Sequence, residues 1–126
     1  MAETIDKAKV VGVLLAGGAA RRMGGGDKCL RIFEGETLLA RTIRLLRSQV
    51  GALVLNANGD GARFADYGLP VAADVIAGQA GPLAGVLTGM EWAAGNVPDA
   101  EFVMTVPTDT PFLPADLVER LSTALI

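Results

Sequence analysis

Residues 15–28 read Leu-Ala-Gly-Gly-Ala-Ala-Arg-Arg-Met-Gly-Gly-Gly-Asp-Lys and follow directly on the apolar run 10–14. Two arginines and a lysine on a glycine-rich turn can meet one polyanion together with the backbone N–H groups of the turn. Gly17, Gly18 and the Gly24-Gly25-Gly26 triplet remove the Cβ atoms that would hold a ligand away from the main chain. The chemistry this favours is capture of a nucleoside triphosphate, with Arg21, Arg22 and Lys28 as candidate cations. The alternative is a glycine-rich connection with solvated basic side chains, and Arg21 in particular reads that way. Two other phosphate loops are excluded. Lys28 stands between Asp27 and Cys29, so the Gly-Lys-Ser/Thr end of a P-loop is missing, and the turn holds no Gly-x-Gly-x-x-Gly.

Elements that would position this loop can be read on either side of it. The runs 10–15, 52–56, 71–73 and 101–106 are short, rich in valine, leucine and alanine, and bounded by glycine, proline or acidic residues, as buried parallel strands are. Between the first two, residues 37–49 place Leu39, Ile43 and Leu46 on one helical face, with Arg41, Arg44 and Arg47 largely off it. Residues 82–94 and 114–125 each begin with proline, which suits a first helical turn. Asp116 and Glu119 would lie early in the latter helix, and residues 59–68 would hold a short one. Strands alternating with helices give right-handed crossovers and an α/β sandwich, whose ligands bind beyond the carboxyl ends of the strands. The glycine loop, Asn56-Ala57-Asn58, Asp74 and Thr108-Asp109-Thr110-Pro111 all fall at such ends.

Composition narrows the chemistry. The chain has 126 residues, 51% of them hydrophobic, and a mean hydropathy of +0.41, which suits one domain with a substantial core rather than a disordered chain. It has no histidine and one cysteine, so a Cys–His nucleophile is ruled out and any metal should be a hard, oxygen-liking ion. Cys29 reads as a small packing residue, and Trp92, with Leu87 and Met90 near it, as core. Residues 1–50 carry nine Lys/Arg against five Asp/Glu, and residues 51–126 two against nine. Phosphate-binding cations would thus come early in the chain and metal-binding carboxylates late. The acidic total argues against nucleic acid as a partner. No apolar run approaches the roughly 20 residues that span a bilayer, and no secretory signal opens the chain. A cytosolic protein without membrane contacts is expected.

Four blocks in order carry a more specific message: Leu-Ala-Gly-Gly-x-x-x-Arg-Met-Gly-x-x-Asp-Lys at 15–28, Asn-Ala-Asn at 56–58, Gly-Pro-Leu-Ala-Gly at 81–85 and Pro-x-Asp-x-Pro-Phe at 107–112. Their order and spacing resemble the molybdenum cofactor guanylyltransferases, over residues 10–125. Gly17-Gly18 and the Asn-Ala-Asn block resemble this branch rather than relatives that use CTP or UTP. The resemblance implies a Rossmann-like three-layer α/β/α sandwich with a mostly parallel sheet, of the nucleotide-diphospho-sugar transferase kind. It implies transfer of GMP from GTP to the terminal phosphate of molybdopterin cofactor, with release of pyrophosphate and with Mg²⁺. It also implies contact with proteins that handle the cofactor and with acceptor molybdoenzymes. Carried onto this sequence, Leu15, Ala16, Gly17 and Gly18 would meet the nucleotide through backbone groups. Lys28 would meet the phosphates, and Asn56 and Asp74 would line the GTP site. Asp109 would hold Mg²⁺ as well as nucleotide, and Arg22 would neutralise phosphate charge. Residues 81–85 would start a helix beside the nucleotide.

The family's chains continue through a further C-terminal region that helps hold the pterin, so residues 1–126 would be a single nucleotide-binding domain cut short at its C-terminal end. Simpler roles stay open at this point. Asp109 can shape the turn before Pro111, Asp74 can end a strand, and residues 81–85 can serve tight helix packing. A cytidylyl- or uridylyltransferase of the same fold, a non-catalytic GTP-binding module and a self-associating incomplete domain are the rival readings.

Overall fold

Val10–Leu15 forms β1, and its Val10, Val11, Val13 and Leu14 are each no more than 3% exposed. A strand buried on both faces has to sit between strands and between helices. In the computed structural model, which describes residues 6–16, 28–59, 61–75, 82–109 and 112–125, it does both. The hairpin strands β2 (Ile32–Phe33) and β3 (Glu36–Thr37) stand apart as a two-stranded antiparallel pair. The strands β4 (Ala52–Asn56), β5 (Val71–Ala72) and β6 (Phe102–Pro107) join β1 in a parallel sheet of order β5-β4-β1-β6.

Helices cover both faces. The helix α1 (Leu38–Leu46) turns Leu39, Ile43 and Leu46 inward, at 0%, 6% and 0% exposure. Thr37 caps it, its Oγ1 accepting from Ala40 N at 3.0 Å, a contact that contributes about 1 kcal/mol in such positions. Phe64 from a 3₁₀ helix (Gly61–Tyr67) and Val118 from α3 (Leu117–Leu125) join the same side, with Val10, Leu14, Leu53, Leu55 and Val106. The opposite face belongs to α2 (Pro82–Asn96), which packs Ala93 and Trp92 on Val11, Val13 and Val54. It can lie so close because a Cβ on Gly89 would run into Val13. These are the three layers expected from the sequence.

Several local expectations are corrected. The first helix stops at Leu46 and residues 47–49 form a turn, with Gln49 N donating to Leu46 O. The last helix begins at Leu117, not at Pro114. Gln49 Oε1 accepts from Val118 N at 2.8 Å and Asp116 O from Arg120 N, which places Asp116 just ahead of the helix. Glu34 and Gly35, with φ of 52° and 86°, make the tight turn of the β2–β3 hairpin, which two-residue strands had hidden from periodicity. Cys29 is buried as expected and Trp92 packs, partly buried, against the core, but Leu87 and Met90 face outward, 37% and 53% exposed. No helix among the described residues is long and apolar enough to cross a membrane.

Candidate active site

The register of the sheet builds the site. Leu15 lies opposite Asn56 on one side and Pro107 on the other, and Asn56 lies opposite Ala72. The four residues form one row across the carboxyl edge, about 14 Å long at roughly 4.8 Å between strands. Asp74 and Asp109 each stand two residues beyond that row, one off β5 and one off β6. Residues 17–27, which include Gly17, Gly18 and Arg22, lie outside the described residues, as does Gly81.

At the β5 end the polar groups interlock. Asn56, 3% exposed, donates from Nδ2 to Asp74 Oδ1 at 2.9 Å and to Ala72 O at 3.2 Å, which uses both of its N–H groups. Its oxygen faces α2. A Cβ on Gly85 would sit 2.6 Å from Asn56 Oδ1 and 2.7 Å from Leu15 Cδ2, so glycine alone permits this approach. Asn58 donates from Nδ2 to Asp74 Oδ2 at 2.9 Å and accepts from Asp74 N at 2.8 Å. Val75 N donates to Thr88 Oγ1 at 2.9 Å, and that hydroxyl donates to Ala84 O at 2.7 Å, so α2 pins the residue after Asp74. Sequence reasoning missed Thr88. The available signal was a hydroxyl residue four positions after Ala84, on the helical face of small residues that includes Gly85 and Gly89.

The β6 end is built differently. Thr108 is 2% exposed and donates from Oγ1 to Leu15 O at 2.9 Å, tying the end of β6 to the end of β1. The next residue, Asp109, is exposed. Ala16 N is engaged with Asn56 O at 2.8 Å, so its amide belongs to the sheet. Lys28 opens a 3₁₀ turn whose Cys29 lies in the cluster that also holds Leu14 and Val106, the residues just before Leu15 and Pro107.

Among the described residues, no three His, Cys, Asp or Glu side chains cluster as a metal cage. One exposed carboxylate is nevertheless what Mg²⁺ chemistry uses. That ion is held by one or two carboxylates while substrate phosphates and water complete its shell. Asp109 fits that mode, whereas each oxygen of Asp74 already accepts from one asparagine amide.

Residues 12–126 match the family described as MobA-like NTP transferase domain. The chain belongs to this family. Among similar proteins is the molybdenum cofactor guanylyltransferase of Rhodopseudomonas palustris strain BisB5, 60% identical over 112 residues, or 89% of this chain and 53% of that protein. The molybdenum cofactor guanylyltransferase of Bradyrhizobium sp. strain ORS 278 is 58% identical over 115 residues, covering 91% and 54%. The chain thus spans about half the length of the curated relatives it matches. The solved structure of Rv0371c from Mycobacterium tuberculosis H37Rv shares the fold, with a TM-score of 0.65 at 24% identity over 93% of this chain and 60% of that one. In this MobA-like domain, Leu15, Ala16, Asn56, Asp74 and Asp109 gather along one sheet edge. Gly85 serves close helix packing against that edge.

Proposed function

We propose that this edge binds GTP with Mg²⁺ and that the whole protein transfers GMP from GTP to the terminal phosphate of molybdopterin cofactor. The observation that supports it most is the row itself. It sets an open carboxylate and a braced carboxylate at opposite ends of one edge, with the end of β1 between them. If Asp109 holds Mg²⁺, the phosphates lie at the β6 end and the nucleoside reaches toward Asp74, where a fixed carboxylate accepts N–H or O–H donors. Asn56 acts through Asp74 and through its fit against Gly85. Ala16 contributes backbone surface other than its engaged amide.

In the reaction, an oxygen of the acceptor phosphate bonds to the α-phosphorus of GTP while the bond from that phosphorus to the α–β bridging oxygen breaks. Pyrophosphate leaves with the electron pair. The nucleophile is already ionised near neutral pH, so the absence of histidine costs nothing, and catalysis rests on alignment and charge neutralisation. Asp109 would hold the cation beside the nucleotide's phosphates, and Lys28 and Arg22 would stabilise charge growing on the departing pyrophosphate. When bound, Mg²⁺ supplies polarisation of the phosphoryl oxygens. The acceptor, the cofactor-handling proteins and acceptor molybdoenzymes, and a cytosolic setting belong to the same proposal.

Calorimetry of Mg²⁺-dependent GTP binding to this chain, with CTP as competitor, tests the reading. Selective GTP binding supports it. Equal binding of CTP removes the guanylyl assignment, and binding of neither removes the site.

A further inference from the structure

Asn56, Ala57 and Asn58 leave the end of β4 with the alternation of an extended chain, in which residues i and i+2 share a face. Ala57, 2% exposed, enters the core on the α1 side, while the two asparagine amides meet at Asp74. Asn56 has a second commitment, to Ala72 O, whereas both polar atoms of the Asn58 side chain go to Asp74. The Asn58 backbone is held separately. Arg63 Nη2 donates to Asn58 O at 2.8 Å, and the Arg63 guanidinium lies 4.3 Å over the ring of Phe64, which is 1% exposed. A core residue therefore fixes an arginine, the arginine fixes the asparagine, and the asparagine fixes the carboxylate.

We propose that Asn58 is a positioning residue of the nucleotide site, acting on the ligand through Asp74; this rests on the reading above that Asp74 contacts the nucleoside. Each carboxylate oxygen has two acceptor positions. Asn56 occupies one on Oδ1 and Asn58 one on Oδ2, so one position per oxygen remains for a ligand's donors, in a plane the two amides set. Both donors are neutral, and the carboxylate keeps its charge for the ligand. Without Asn58, Oδ2 loses its partner and the carboxylate can turn about its side-chain bonds before a ligand arrives, so part of the binding energy goes into ordering it.

The test is calorimetric GTP affinity, with Mg²⁺, of this chain and of its Asn58→Ala, Asn58→Asp and Asn58→Ser variants, each with its thermal unfolding curve. Asn58→Ala should weaken GTP about tenfold, the effect of removing one hydrogen bond to a charged group. Asn58→Asp, although nearly isosteric, should weaken it further, because it turns a carboxylate oxygen toward Asp74 Oδ2 in place of an N–H. Asn58→Ser, with a shorter hydroxyl, should fall between wild type and alanine, and it carries the comparison where the alanine protein does not stay folded. A residue that merely fills the turn gives the reverse ranking, with aspartate milder than alanine, and that ranking overturns the proposal. So does an affinity within about twofold of wild type for all folded variants, since a lost charged hydrogen bond exceeds that. Wild-type protein that does not bind GTP overturns the nucleotide reading and this inference together, whereas binding that is indifferent to Asn58 overturns the inference alone.

Discussion

The two ends of the carboxyl edge solve different problems with the same side chain. Asp74 is gripped. Both its oxygens take asparagine donors, its own N–H is held by Asn58, and the next N–H is held by Thr88 on α2. Asp109 is exposed, and the anchoring falls to its buried neighbour Thr108, which ties the backbone to Leu15. A gripped carboxylate offers a fixed acceptor to a ligand of fixed shape. An open one suits a hydrated cation whose other ligands arrive with the substrate. On the proposed reading, preorganisation stands where a ligand's shape would be read and is absent where a metal shell would have to exchange.

The largest expected effect breaks the comparison at its open end. Asp109→Ala should abolish the Mg²⁺ dependence of GTP affinity and, in a chain extended to the length of its relatives, lower turnover by about a hundred- to thousandfold. Lys28→Ala should lower that turnover by roughly tenfold or more while leaving the Mg²⁺ dependence in place. Asp74→Ala should weaken GTP about ten- to hundredfold yet retain the Mg²⁺ dependence. Titrations of both aspartate variants with and without the cation decide this, and equal loss of Mg²⁺ dependence would collapse the distinction between the two ends.

Gly85→Ala sharpens the comparison at the gripped end. The new Cβ meets Asn56 Oδ1, on a buried side chain whose amide nitrogen is doubly hydrogen-bonded, and should cost about 1–3 kcal/mol in thermal or denaturant unfolding along with GTP affinity. Gly95→Ala on the same helix has open space around its Cβ and should be neutral or slightly stabilising. The smallest effect lies away from the site. Arg44 hydrogen-bonds Glu36 at 2.6 Å and thereby holds its carboxyl below the usual glutamate range. The contribution is therefore present above the unfolded-state value and lost as pH falls through the lowered one. Arg44→Met should barely move the melting temperature at neutral pH, because the pair is solvent-exposed, and should shrink the small acid-induced decrease, with Arg41 still beside Glu36.

The strands β1 and β4 were legible to the residue because fully buried parallel strands leave an unbroken apolar signature, and the gathering of Asn56, Asp74 and Asp109 at one edge followed from that topology. What stayed hidden depends on side chains meeting across the fold. Nothing in periodicity joins Asn58 to Asp74, or Thr88 to the residue after it, because neither pair shares an element. The glycines of the 81–85 block looked equally suited to ligand approach and to packing, and Gly85 proves to be packed because Asn56 stands where its Cβ would be. Pro114 suggested a helix start, but the cap that sets it comes from Gln49, distant in sequence and invisible as a local motif.

The bond from Thr108 to Leu15 spans 93 residues, and β1 pairs with β4 and β6 in parallel on its two sides. Such long closures make folding slow, in the range of milliseconds to seconds, because chain entropy is lost well before the contacts repay it. Of the described strands of this sheet, β6 is the last to emerge during synthesis, and it delivers Asp109. On the proposed reading, a nascent chain would carry its Asp74 clamp for some time before it could grip a metal-bound triphosphate, and nucleotide capture would report that β6 has docked.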